Sequence, residues 1–366
     1  MSRRPITNLR TGLLAFGCAL AISSSGLLFA ETPPVPVSSA EAIALEVRAI
    51  FEQCKRSVIR VEATDQHGTL SGSGFFIDPN GTLFTAYTVG GESRDITVSI
   101  DDIKYPARRL LADPRSGVAI LKIDAQTPFL SPGKSSDLRL ASPVVAIGYP
   151  MDLPLTPSFG TVGGFDLKYL GRFFATTHIR ANLPVQRGEG GAPLLNMRGE
   201  VVGILISSLD AGSATFALPI EAAEKIRSDL VRFGEIRPGW MGLKVVLSEQ
   251  EVDGSRAKIE ILLEGGPAQK AGLREGDFLI QIDHKPIHGI EDILDASFFF
   301  TENEEVTVKI VRDSKELEFR LQTSSPSTPS TQLPTQDSPI AKSPKRLPYF
   351  VSPDLSQEGL PLKPDR

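Results

Sequence analysis

Between residues 57 and 220 the chain alternates short apolar, β-branched runs with clusters of Gly, Pro, Asn and Asp. Val58-Ile59-Arg60-Val61, Ile96-Thr97-Val98-Ser99-Ile100 and Val144-Val145-Ala146-Ile147 are examples. Runs of this length, punctuated by turn residues at this spacing, predict the strands of a sandwich or barrel. Asn80-Gly81 between two such runs predicts a hairpin. Helical spacing replaces this pattern in two places. Ile43, Val47, Ile50, Phe51 and Cys54 share one face of a helix preceded by the capping-box pair Ser38 and Glu41. Ala223, Ile226, Leu230 and Phe233 mark one face of a second helix over 220–233. A smaller block of mixed strand and helix runs from about 237 to 323, closing with the strands Val306–Arg312 and Leu317–Leu321. No internal repeat stands out.

The two ends follow different rules. Arg3, Arg4 and Arg10 precede an uncharged apolar stretch, Gly12 to Ala30, which predicts a secretory signal cut after Ala30. Ser2-Arg3-Arg4-Pro5-Ile6 resembles the start of a twin-arginine signal. The alternative is an uncleaved anchor, since the run is about long enough to span a bilayer. At the other end, prolines recur every few residues among Ser and Thr, denying both helix and ladder hydrogen bonds. This predicts a disordered tail whose one apolar patch is Tyr349-Phe350-Val351. The expected organisation is therefore 1–30 signal, 38–236 first domain with its N-terminal helix, 237–323 second domain and 324–366 tail.

Composition narrows the function. A chain of 366 residues exceeds one ordinary core, which agrees with two domains. The net charge of −5 provides no basic excess to neutralise phosphates, so nucleic acid is excluded as an expected partner. Four histidines (His67, His178, His284, His288) and two cysteines (Cys18, Cys54) leave little material for a metal site, and no cofactor is expected. Loss of residues 1–30 removes Cys18, so Cys54 has no disulfide partner. Its place on the apolar helix face predicts a buried small hydrophobe.

Three glycine-rich segments carry the strongest motif content: GSGFFIDPNGTLFTAYTVG at 72–90, DPRSGVAILKI at 113–123 and QRGEGGAPLLNMRGEVVG at 186–203. In order and spacing they resemble the HtrA/Deg family of trypsin-like serine proteases, and Phe216-Ala217-Leu218-Pro219-Ile220 matches a further family segment. Residues 239–323 resemble the family's PDZ domain, through Trp240-Met241-Gly242-Leu243 and Pro267–Asp277. The resemblance implies a mostly β protein: a trypsin-like double six-stranded β-barrel followed by a PDZ domain of α+β type.

The same matches place Thr88, Gly117 and Gly190 where the family has its catalytic His, Asp and Ser. That mechanism needs an attacking hydroxyl, an imidazole base and an orienting carboxylate, and loss of nucleophile or base costs about 10⁶ in turnover. The expectation drawn from these positions is that the chain is not an enzyme. His178 reads as a structural histidine, and Asp113 as a carboxylate without a histidine to orient. Gly188, Glu189 and Gly190 are the remnant of an oxyanion loop, whose backbone N–H groups could still form an anion nest.

In the PDZ domain the expected chemistry is recognition. A peptide adds as a strand beside Leu243–Val246, and the Met241-Gly242-Leu243 loop receives its terminal carboxylate. Trp240, Val245, Ile293, Leu294 and Ser297 complete the expected groove, whose apolar walls imply ligands with apolar C-termini. The expectation for the whole is a secreted or periplasmic, non-catalytic member of the family that binds peptides or misfolded chains. The alternatives are a serine endopeptidase of envelope quality control, or a regulatory subunit joined to an active relative. A homotrimer is implied by the resemblance.

Overall fold

The computed structural model describes residues 39–325, apart from 102, 152, 171 and 210–213. The expected signal, the capping residue Ser38 and nearly all of the tail lie outside the described residues. Those described fall into two compact units: residues up to Asp166 with Thr177–Ser228, and Leu167–Thr176 with residues from Asp229 onward.

The first unit opens with helix α1 (Ser39–Cys54). Only its last turns are inside: Ile50 and Cys54 are buried, whereas Ile43 is 41% exposed. The apolar stripe read from the sequence is therefore covered at one end only. Cys54 lies against Gly199, whose positive φ brings the turn close to the thiol. Burial pushes that thiol up to about 11, which agrees with an inert packing role.

Seven strands follow: β1 (Val58–Thr64), β2 (Thr69–Phe76), β3 (Thr82–Ala86), β4 (Arg94–Ile100), β5 (Ile103–Pro106), β6 (Arg108–Asp113) and β7 (Val118–Lys122). They form one sheet in the order β5-β4-β1-β2-β3-β7-β6. A short helix, α2 (Tyr87–Gly90), leaves the end of β3. The count exceeds the expected six because Ile103–Pro106 folds back on β4 as an added edge strand. The predicted hairpin sits between β2 and β3. Gly81 has φ +87°, and the Asp78 carboxylate accepts the N–H groups of Asn80 and Thr82. Val61, Phe76, Leu83, Val98 and Leu121 are fully buried in one core, each contributing about 1.5–3 kcal/mol by burial.

The second half is a closed six-stranded barrel, as expected. Its strands are β8 (Pro143–Gly148), β9 (Thr156–Tyr169), β10 (Arg172–Asn182), β11 (Pro193–Leu195), β12 (Val201–Leu209) and β13 (Ala214–Pro219), in the order β10-β13-β12-β11-β8-β9. Closure removes the exposed strand edges. The helix read from the sequence over 220–233 is α3 (Ile220–Phe233), with Ala223 and Ile226 buried.

The second unit is a sheet of β14 (Leu243–Val252), β15 (Ser255–Leu262), β16 (Phe278–Ile282), β17 (Lys285–Pro286), β18 (Glu305–Arg312) and β19 (Lys315–Gln322). Helix α4 (Pro267–Lys270) and helix α5 (Ile290–Phe298) complete it. The order is β14-β15-β16-β18-β19, with β17 on β16, so β14 is an edge strand. Trp240 and Ser324 exchange two backbone hydrogen bonds of 2.8 and 2.9 Å.

Candidate functional site

The first site is built from the ends of β2, β3 and β7 and the loop before β11. Thr88 is exposed on α2, and Gly190 is half-exposed in the loop. A side chain on Gly190 would have its Cβ 3.7 Å from the Ala86 Cβ and 4.0 Å from the Thr88 hydroxyl oxygen, with nothing nearer. Gly117 joins them through the backbone: its carbonyl accepts the Tyr87 N–H at 2.7 Å, one residue before Thr88. The three positions singled out in the sequence are thus brought together.

The loop is held from below by small residues. Ser73 N–H donates to the Gly190 carbonyl at 2.9 Å, and the Ser73 hydroxyl donates to the Gly188 carbonyl at 2.9 Å. The same hydroxyl accepts the Tyr149 N–H, and the Thr85 hydroxyl donates to the Ser73 carbonyl at 2.7 Å. Gly191 has φ +90°, and a Cβ there would lie 2.2 Å from the Ser73 carbonyl oxygen, so only glycine fits. Sequence reasoning did not single out Ser73 or Thr85. The cue was there in Gly72-Ser73-Gly74, since glycines inside a strand mark a close backbone approach.

Glu189 points inward: it is 1% exposed. One carboxylate oxygen accepts the Gln186 N–H at 2.6 Å, and the other, Oε1, is buried without a hydrogen-bond partner. Burial holds its pKa above the ordinary carboxylate value, opposed in part by that N–H. His178 is buried on β10 and Asp113 is buried at the end of β6. Asp113 Oδ1 accepts the N–H and the Nε of Arg115. At its surface this site sets the Thr88 hydroxyl beside a glycine loop. Among the described residues no group of three or more His, Cys, Asp or Glu is arranged to hold a metal ion.

The second site is on the edge of the smaller sheet. Gly242 has φ +76°, and its carbonyl accepts the Leu263 N–H at 2.9 Å. The Met241 carbonyl accepts the Ala268 N–H, tying the loop to α4. Leu243 and Val245 are half-buried against the core, and α5 packs beside β14. The structure divides the expected groove set. Met241 and Ile293 are 5% and 7% exposed and belong to the core, so Ile293 does not line the groove as expected. Leu294 is 36% exposed, Ser297 and Trp240 are half-exposed, and these remain accessible. Helical spacing identified the right turn of α5 but not which of two adjacent apolar residues faces inward.

Comparison with known proteins adds to this geometry. A model of the trypsin-like peptidase domain matches residues 72–204, and a model of the PDZ domain matches residues 239–323. A relative from Pseudomonas fluorescens is 32% identical over 263 residues, covering 67% of this chain and 54% of the relative. One from Chlamydia trachomatis is 28% identical over 287 residues, covering 74% of this chain and 56% of the relative. Both are named DegP-like periplasmic serine endoproteases. This chain belongs to the HtrA/Deg family. It spans just over half the length of those HtrA/Deg relatives. An HtrA-type protease, AlgW, solved with a tripeptide, superposes with a TM-score of 0.67 at 20% identity, covering 78% of this chain and 99% of AlgW. A serine endoprotease from Yersinia pestis gives 0.58 at 22%, covering 80% and 99%. These two likenesses show the shared fold.

The HtrA/Deg relatives also correct one expectation. The chain was expected not to be an enzyme, because of Thr88, Gly117 and Gly190. The relatives it matches are named serine endoproteases, and that overturns the expectation.

Proposed function

We propose that this protein serves protein quality control in the bacterial envelope, engaging peptides and unfolded chains that carry apolar C-termini. The observation that carries the proposal is the open edge of β14 beside the Gly242 loop and the exposed Leu294. A peptide laid antiparallel to β14 gains ladder hydrogen bonds, and its last side chain meets the apolar wall of α5. The periplasmic names of the relatives support the location. Association into trimers is part of the same proposal, and sedimentation of the mature chain reads it. Titration of the chain with a library of peptides ending in free apolar carboxyl groups tests the core of the proposal. Micromolar binding supports it, and no binding by any member overturns it.

A second reading is favoured by the relatives' names: a serine-type endopeptidase of the same pathway. Incubation with an unfolded protein, with and without a serine-protease inhibitor, reads it directly. Inhibitor-sensitive fragments support cleavage, and intact substrate after prolonged incubation counts against it.

A further inference from the structure

We propose that the open edge of β14 is occupied by this chain's own segment Ser343–Ser352, added as an antiparallel strand. The inference rests on the reading of β14 as a strand-addition site and names its resident occupant.

Three observations carry it. The first is where the chain leaves the fold. Ser324 is hydrogen-bonded to Trp240, three residues before β14 begins, so everything after it starts at the mouth of the groove. The second is reach. Eighteen residues, 325–342, can span up to about 55 Å at about 3.1 Å per residue in a Pro-rich chain. β14 is about 33 Å long at about 3.3 Å per residue, so the tail can run its length and return along it. A tether of this kind gives an effective concentration on the order of millimolar.

The third is the pattern within the segment. Pro344 and Pro348 are four residues apart, so they have the same parity along a strand. Backbone groups facing one neighbour come from alternate residues, so both prolines can turn their missing N–H away from β14. The residues that then face β14 through their backbones are Lys345, Leu347, Tyr349 and Val351. Their side chains share one face, and three of the four are apolar. With Val351 beside Leu243, antiparallel register places Lys345 opposite Glu249, which is exposed. Charge, apolar face and proline parity all select the same alignment.

Hydrogen exchange of the β14 amides in the full-length chain tests this. The comparison is with a variant carrying Leu347→Lys, Tyr349→Lys and Val351→Lys, all outside the described residues. The expected result is at least tenfold faster exchange of the edge-facing β14 amides in the variant, independent of chain concentration. Equal exchange in the two chains overturns the inference, and a difference that grows with concentration overturns its intramolecular form. A labelled, C-terminally amidated peptide spanning Ile340–Pro353 should bind the variant at least tenfold more tightly than the parent. The carboxyl-terminal peptide library keeps the two readings apart. If it binds the variant while exchange is equal, strand addition stands and the tail is not the occupant. If it binds neither chain, the groove reading fails.

Discussion

Ile206 occupies the space that a side chain on Gly117 would need: its Cγ2 lies 2.6 Å from the position of a Cβ there. Gly117 also has φ +78°, a backbone conformation that L side chains rarely adopt. Gly190 is the opposite case, since a Cβ there meets only ordinary contacts. Gly117→Asp is therefore expected to cost about 2–4 kcal/mol, combining backbone strain with overpacking. Gly190→Ser should stay within about 1 kcal/mol of the parent. Urea denaturation of the two variants checks this, and adding Ile206→Ala should recover part of the Gly117→Asp loss. Equal costs at the two positions would contradict the contacts described.

Glu189 is expected to tilt stability with pH. Burial raises its folded-state pKa, so over an interval the native chain holds a proton that the unfolded chain has released. Its contribution is fully present below the unfolded value of about 4.3 and is lost as pH rises through the raised value. Glu189→Gln keeps an oxygen for the Gln186 N–H and removes the titration. Relative to the variant, the parent should lose stability as pH rises from 4 toward neutrality, measured by denaturant midpoints at each pH. Parallel curves would show that folding leaves the Glu189 carboxyl unshifted.

The groove makes a separate prediction. Leu294 is exposed on α5, so Leu294→Lys should leave the melting temperature within a few degrees of the parent. Affinity for peptides with apolar C-termini should fall at least tenfold, or about 1.4 kcal/mol. Gly242→Val should weaken binding as well, while also destabilising the unit, because Gly242 has positive φ and a Cβ there lies 3.1 Å from Pro267 Cδ. Calorimetric titration beside thermal melts separates the two effects.

Asp277 and Arg312 form the most enclosed ion pair described. Asp277 is 2% exposed, and its two oxygens accept Arg312 Nε and Nη2 at 2.7 Å each and the Arg274 N–H. Arg312 also covers the Phe319 ring at 5.4 Å. Asp277→Ala strands a guanidinium and a backbone N–H, and should cost about 3–5 kcal/mol. A loss under 1 kcal/mol by urea denaturation would mean that water replaces the carboxylate without cost.

Much of this was legible in the sequence because it is local. Asn80-Gly81 states its own turn, and Ala223, Ile226, Leu230 and Phe233 state the face of α3. The resemblance of the segments from Gly72 to Val202 to the HtrA/Deg family implied that Thr88, Gly117 and Gly190 share one neighbourhood. What escaped depends on contacts between distant residues. Nothing near Gly117 announces Ile206, 89 positions away. Nothing near Glu189 says that its carboxyl turns inward rather than toward the cleft. Periodicity gave α1 a face, whereas only packing decides how far along the helix that face is covered.

The Trp240–Ser324 pair has a consequence for how the smaller unit can be handled. Within it, the stretch from Trp240 to Ser324 begins and ends at a single point, pinned by two hydrogen bonds. A unit whose ends meet can be grafted into a surface loop of another protein without stretching its host. Pulled by those ends, it would first lose that two-bond clasp, so a single-molecule extension trace should show a small early step before the sheet itself yields.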